Sequence, residues 1–348
     1  MRGVSQGFQL TLKSNERGSS SIVVALLMVA LLGFAAISID VGKLYWEKAQ
    51  LQNGADAGAL ALASICGRDS NDPLCSPSSE IVRDLANDNS NDNESNVYSV
   101  DIKSNEVTVN TTASEVGAPA NSVSVWFAQI LDPSFASAEV GASATAGWGA
   151  PTALSAKFPV TFSKCEIATA PVGPTGLQFF LAHKKNDKCD GPQSGLNIPG
   201  GFGWLEQNGK TCSAATRVGQ WIGSSTGNSY NKTGCNDQLL KWKEKLVKGE
   251  KVIILLPVFD GHGTSGGGSG GSYFISGYAA VEIQGWMFKN NDSLLDFQAN
   301  SDAKSIRGKG GSEVGFIGQF LRFVFDDEDV EFGSGGPNYG ADVIRLTK

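Results

Sequence analysis

The chain has 348 residues and a formal net charge of −7, with 28 Lys and Arg residues against 35 Asp and Glu residues. Nucleic-acid surfaces need clustered cationic side chains to neutralise phosphates, so this acidic balance argues against such a partner. Glycine is abundant, at 43 residues, and together with Ser, Thr and Asn it indicates many short strands joined by turns.

The first predicted element is an apolar segment near the N-terminus. Residues 19–39 contain no charged side chain, and about 21 residues at about 1.5 Å each span the hydrocarbon core of a bilayer. Arg2, Lys13 and Arg17 precede this segment against a single glutamate. The positive-inside rule therefore predicts a cytoplasmic N-terminus (1–18), one transmembrane helix and an extracytoplasmic C-terminal region.

A cleaved secretory signal is the alternative to a retained anchor. The basic N-terminus and the small residues at positions 36 and 38 would suit a cleavage site. However, the uncharged run is longer than the usual apolar core of a signal peptide, and the helical pattern continues beyond it without a break. These two features favour the retained anchor.

Residues 40–66 are predicted to extend the same helix out of the membrane. Apolar and small side chains recur at steps of three, four or seven residues, interrupted by Lys48, as expected of a helix that buries one face. They are Ile37, Val41, Leu44, Leu51, Ala55 and Leu62. Residues 55–64 are rich in Ala, Gly and Leu, which permit close approach of a neighbouring element. Packing against the chain's own strands and packing against another protein both stay open.

Two β-rich regions follow the helix. Runs of β-branched and aromatic residues, bounded by Gly, Pro or Asp, predict strands throughout 67–150 and 151–348. Residues 149–157 contain Gly, Ala and Pro and are predicted to be a linker between the two regions. Short helices are expected at 79–88 and 237–249, the second ending at a glycine cap. The predicted fold class is α+β.

The six cysteines are predicted to form disulfides. The sequence has no C-x-x-C pair and only two histidines, so disulfides in an oxidising compartment are favoured over a zinc site. Sequence proximity favours the pairs Cys66–Cys75, Cys165–Cys189 and Cys212–Cys235. The last four cysteines allow three connectivities, which stay open.

No catalytic constellation can be identified. The Gly-rich stretch 261–271 contains G-x-G-x-x-G and G-x-S-x-G patterns, but a predicted strand follows it where a dinucleotide site or a nucleophile elbow needs a helix. Acidic residues at 88–94 and 326–331 are expected to be solvated turns, with calcium binding left open. We therefore expect a non-enzymatic protein with no cofactor, no metal site and no evident small-molecule substrate.

The emerging helix carries a motif, D-V-G-x-x-Y followed by Q-L-Q-N-x-A-D-x-x-A-L-A. It falls on Asp40, Val41, Gly42, Tyr45, Gln50, Leu51, Gln52, Asn53, Ala55, Asp56, Ala59, Leu60 and Ala61. With the preceding apolar run, this motif resembles the N-terminal segment of TadE/TadG-like proteins of the tight-adherence (Flp) pilus assembly system. Gly54 and Gly58 depart from the family pattern. The predicted helix packing motif comprises Asp40, Val41, Gly42, Leu44, Tyr45, Leu51, Gln52, Asn53 and Asp56.

The resemblance implies a single-pass protein of the bacterial cell membrane that helps to assemble thin adhesive pili. Its partners would be the membrane and other pilus assembly proteins, and its role that of a minor pilin-like component or initiator. The resemblance continues weakly to about residue 150, so the region 67–150 is expected to be pilin-like. The metal-site motif D-x-S-x-S of larger relatives does not occur here. A membrane-anchored surface adhesin or ligand-binding module is the alternative.

Overall fold

A computed structural model describes the chain over the following residues: 19–93, 95–169, 176–181, 184–190, 197–225, 234–264, 271–289, 292–307, 313–326, 330–333 and 337–348. The helices are α1 (Ser19–Arg68), α2 (Glu80–Asp88), α3 (Ala128–Leu131), α4 (Lys164–Thr169), α5 (Cys235–Val247) and α6 (Ser301–Ser305). A 3-10 turn at Pro133–Phe135 follows α3.

The described part of the chain contains many short strands and a few long ones. They are β1 (Ser95–Lys103), β2 (Glu106–Ala113), β3 (Ser122–Ser124), β4 (Ser137–Glu139), β5 (Gly141–Ala156), β6 (Val160–Ser163), β7 (Gln178–Leu181), β8 (Lys184–Asp190), β9 (Asn197–Gly200), β10 (Phe202–Trp204), β11 (Ala214–Arg217), β12 (Trp221–Gly223), β13 (Val252–Thr264), β14 (Gly271–Met287), β15 (Asp296–Gln298), β16 (Gly315–Leu321), β17 (Phe323–Asp326), β18 (Glu331–Gly333) and β19 (Ala341–Leu346).

Helix α1 is a single uninterrupted element of 50 residues. Its first part is long and apolar enough to cross a membrane, and none of that apolar stretch is buried. The large apolar side chains between Ile22 and Phe34 are 53–71% exposed, an arrangement that suits a hydrocarbon environment better than water. The predicted α+β organisation, with a long apolar N-terminal helix before a β-rich, disulfide-containing region, is confirmed.

The chain divides into two compact units. The first contains the described residues up to 55 together with 83–98 and 110–143, and the second contains 56–82, 99–109 and 144–348. In the first unit, β3 and β4 form an antiparallel hairpin whose connection includes α3 and the 3-10 turn. A small apolar cluster unites this hairpin with α1; its members are Leu51, Ala113, Val123 and Val140, with Leu44 and Ala142 packed against them.

Two larger sheets contain most of the described strands. The first has the order β1-β2-β5-β19-β17, with β11 and β18 also paired to β5. The other has the order β10-β6-β13-β14-β16-β7, with β12 and β15 also paired to β14. Its main hairpin joins β13, of 13 residues, to β14, of 17 residues. Aromatic rings fill its core, and Phe158, Phe162, Trp204 and Phe316 are fully buried there.

Strand β5 corrects one prediction from the sequence. Residues 149–156, predicted to belong to a linker, lie in this strand, so the linker prediction was wrong. Gly149 pairs with Val343 of β19, and Ala153 pairs with Arg217 of β11. Small residues occur here because neighbouring strands approach closely: a Cβ added at Gly149 would lie 3.3 Å from the carbonyl oxygen of Gly333.

Two of the expected disulfide pairs are present. Cys66–Cys75 links the last turn of α1 to the segment that follows it. Cys212, two residues before β11, is bonded to Cys235, the first residue of α5. Cys165 is also disulfide-bonded, while the side chain of Cys189 lies outside the described residues.

Removal of a disulfide should destabilise the second unit, and more so when the loop that it closes is longer. The Cys212–Cys235 bridge spans 23 residues and the Cys66–Cys75 bridge spans 9. From loop-closure entropy we expect losses of about 3.4 and about 2.6 kcal/mol of unfolding free energy when each pair is replaced by alanines. Urea unfolding of the purified, detergent-solubilised chain measures both values. Unchanged midpoints in both double variants would contradict this account.

Candidate functional site

The helical segment 40–56 has a covered side and an uncovered side. The covered side consists of Asp40, Glu47, Gln50, Leu51, Gly54 and Ala55, all of which are buried. The uncovered side consists of Val41, Gly42, Tyr45, Trp46, Lys48, Ala49 and Asn53, all of which are exposed. Leu44, Gln52 and Asp56 are partly buried. The two sides alternate at steps of three and four residues because the helix has 3.6 residues per turn.

Asp40 is the first charged residue after the apolar run, and it is only 5% exposed. Its carboxylate accepts hydrogen bonds from the backbone N–H groups of Trp126 (3.1 Å), Phe127 (2.9 Å) and Ala128 (2.6 Å). Phe127 is the N-cap and Ala128 the first residue of α3, and N–H groups at a helix N-terminus have no partner within the helix. The carboxylate satisfies these two groups and the preceding N–H of Trp126 through charge-assisted hydrogen bonds. We refer to these contacts as the Asp40 clamp.

Lys43 reinforces the clamp one turn further along α1. Its Nζ donates to both carboxylate oxygens of Glu115, at 2.9 and 3.0 Å, and to the carbonyl oxygen of Ser124 at 3.0 Å. Glu115 in turn accepts the N–H of Ser124 at 2.7 Å, and Lys43 lies 5.1 Å from the ring centroid of Trp126. Because the ion pair is partly exposed, we assign it a positioning role rather than a large contribution to stability.

The Q-L-Q part of the motif attaches α1 to other segments of its own chain. The Gln50 side-chain oxygen accepts the N–H of Asn91 at 2.6 Å, and the Leu51 carbonyl accepts the Thr111 hydroxyl at 2.9 Å. The Gln52 amide donates at 3.2 Å to a backbone carbonyl near the start of β5. These contacts explain the two glutamines of the motif: each side chain bonds to a backbone group of a segment packed against the helix.

The two glycines that depart from the family pattern occur at close contacts. A Cβ added at Gly54 would lie 3.0 Å from the Cα of Ala86 in α2. A Cβ added at Gly58 would lie 2.9 Å from a methyl group of Val82. The small residues in this part of α1 therefore allow the chain's own segments to approach the helix backbone, which is the intramolecular alternative left open by the sequence.

The uncovered side presents apolar groups that the described part of the chain leaves exposed. Val41 is 43% exposed, Tyr45 is 72% exposed and Trp46 is 61% exposed. A Cβ added at Gly42 would meet nothing within 4 Å. We refer to Val41, Gly42, Tyr45, Trp46 and Asn53 as the outer helix face. Contiguous exposed apolar side chains of this kind mark interaction surfaces.

The other motifs found in the sequence offer no alternative site among the described residues. His262 lies in β13 against the ring of Tyr273, with 5.2 Å between ring centroids, and burial lowers the pKa of His262. Ser265, Gly266 and Ser269 lie outside the described residues. Within the described ranges, no three His, Cys, Asp or Glu side chains form a group able to hold a metal ion. Residues 94 and 327–329 of the acidic stretches lie outside those ranges.

The described structure contains a long apolar helix followed by a β-rich region, and part of this helix exposes an apolar face. Residues 18–64 match the Tad family model, described as putative Flp pilus-assembly TadE/G-like. This match confirms the resemblance of the N-terminal segment and supports a role in pilus assembly. It covers the apolar run, the Asp40 end of the clamp and the outer helix face. No curated protein and no solved structure shows significant similarity to the chain.

Loss of the Asp40 carboxylate should release the loop that it holds. In Asp40→Ala, the amides of Trp126, Phe127 and Ala128 lose their acceptor, and hydrogen bonds to charged groups contribute about 1.5–3 kcal/mol each. We expect hydrogen exchange at these amides to accelerate by about tenfold or more. Asp132→Ala is the matched control, because that exposed carboxylate lies in the same loop and accepts the N–H of the nearby Ser134, at 2.9 Å, rather than an N–H of residues 126–128. Equal protection of residues 126–128 in both variants would contradict the clamp.

Proposed function

We propose that this protein is a non-enzymatic, membrane-anchored component of a Tad/Flp pilus-assembly system, with a minor pilin-like or initiator role. The observation that carries the proposal is the outer helix face. It lies within the segment that matches the TadE/G-like family model, and it is exposed in the described structure.

The motif residues divide into two sets, one in contact with the rest of the chain and one exposed. Asp40, Gln50 and Leu51 hold segments of the same chain by hydrogen bonds and packing. By contrast, Val41 and Tyr45 belong to the same motif and stay exposed. The first set holds α1 against segments of its own chain, whereas the second set contacts another protein.

The composition of the outer helix face suits a helix partner. Tyrosine and tryptophan provide large contact areas with few rotatable bonds, and a glycine beside them lets a second backbone approach closely. Burying a large apolar side chain contributes about 1.5–3 kcal/mol. Burial of Tyr45 and Trp46 together would therefore add substantially to the binding of another pilus-assembly protein.

Two independent features support an extracytoplasmic position for the region after α1. The basic residues Arg2, Lys13 and Arg17 precede the apolar run, and the positive-inside rule places them in the cytoplasm. The disulfides Cys66–Cys75 and Cys212–Cys235 follow the run, and disulfides persist in oxidising compartments such as the bacterial periplasm. Both features favour the same orientation of the chain.

A charge on the outer helix face should prevent pilus assembly. Tyr45→Asp places a carboxylate in the proposed seam, where burial of an unpaired charge is costly. We expect cells with this variant to lose surface pili, counted by electron microscopy, while the protein stays folded and membrane-bound. Tyr98→Asp is the matched control, because Tyr98 is 66% exposed in β1 and Tyr45 is 72% exposed. Normal piliation with Tyr45→Asp would favour the anchored binding module instead.

Gly42 allows a test in which stability and assembly change in opposite directions. Gly42→Ala adds a methyl group in open space, and the higher helix propensity of alanine should stabilise the helix by up to about 1 kcal/mol. In a close helix–helix contact the same methyl group would hold the partner away. We expect equal or higher resistance to urea together with fewer pili. A variant with unchanged piliation would show that no partner backbone approaches Gly42.

A further inference from the structure

The loop held by the Asp40 clamp exposes three large apolar side chains. Trp126 is 59% exposed, Ile130 is 76% exposed and Phe135 is 58% exposed. Residues 126–135 contain no basic residue and one acidic residue, Asp132. This concentration of exposed apolar groups within ten residues is not explained by packing inside the first unit.

The clamp determines where this loop lies along α1. The N–H groups of Trp126, Phe127 and Ala128 are bonded to Asp40, and Ile39 is the last residue of the uncharged run. The backbone of the loop is therefore attached to the helix at the point where the apolar segment ends. If residues 19–39 span the hydrocarbon core, this point is the boundary between hydrocarbon and headgroups.

We propose that residues 126–135 form an interfacial loop that inserts into the headgroup region of the outer leaflet. The occupant of its exposed surface is lipid, because the loop is hydrogen-bonded to α1 where the apolar run ends and has the composition of a membrane-interface segment. Tryptophan is enriched at this depth, since its ring is apolar and its N–H is polar. This inference rests on the membrane anchoring included in the proposed function.

The charges in and near the interfacial loop indicate which lipid headgroups it can bind. The loop has no basic side chain, and the nearby Lys43 is paired with Glu115 at 2.9 Å. Attraction to anionic headgroups therefore has no cationic cluster to act through. The interfacial loop should bind a zwitterionic bilayer, and its contact with lipid should be insensitive to salt.

Site-specific photo-crosslinking in vesicles tests this placement. The full chain is reconstituted in phosphatidylcholine vesicles with benzoylphenylalanine replacing Ile130, and lipid adducts are quantified by mass spectrometry. Replacement of Asn91 is the matched control. This exposed residue is also hydrogen-bonded to α1 through its backbone N–H, but its acceptor is Gln50 instead of Asp40. Gln50 is ten residues beyond Asp40, which is about 15 Å along the helix. Replacement of Leu31, 66% exposed in the apolar run, reports insertion of the anchor itself.

We expect lipid adducts from the probes replacing Leu31 and Ile130, with a yield several-fold higher at Ile130 than at Asn91 and unchanged by added salt. Adducts at Leu31 with equal yields at Ile130 and Asn91 would overturn the interfacial loop and leave the anchor intact. Adducts to a second protein chain at Ile130, in place of lipid, would also overturn it. Absence of adducts at Leu31 would overturn both the loop proposal and the proposed membrane anchoring.

Discussion

The carboxylate of Asp40 accepts hydrogen bonds from three backbone N–H groups, and the site depends on this interaction. It fixes the rotation of α1 relative to the segments packed on it within the first unit. Because the helix repeats every 3.6 residues, turning Asp40 and Leu51 inward leaves Val41 and Tyr45 outward. The Asp40 carboxylate and the contacts of Gln50 and Leu51 therefore agree on which side of α1 is covered and which side forms the outer helix face.

The position of this carboxylate is physically demanding. A charged group directly after an apolar run of membrane-spanning length is costly unless it is hydrated or paired, and here the pairing is provided by the N-terminus of a short helix. Helix α1 continues without a break from the apolar run through Asp40 and the outer helix face.

Much of this organisation can be predicted from the sequence, and the exceptions have physical reasons. The long helix and the main strands follow from local periodicity. The strand at 149–156 was not predicted, because the small residues that permit close strand packing are also typical of a linker. The apolar stripe grouped Val41 with Leu44 and Leu51, but the structure places Val41 outside the cluster that contains the two leucines. The covered side is marked by polar residues, whose partners lie up to 88 residues away in sequence; no local pattern contains that information.

Photo-crosslinking in piliated cells, with benzoylphenylalanine replacing Tyr45 or, as a control, Tyr98, tests whether the outer helix face contacts another pilus-assembly protein. We expect a specific covalent adduct between this chain and a second pilus-assembly protein from the Tyr45 position, with no such adduct from the Tyr98 position. The absence of any protein adduct at Tyr45 in cells that carry normal pili would contradict this contact.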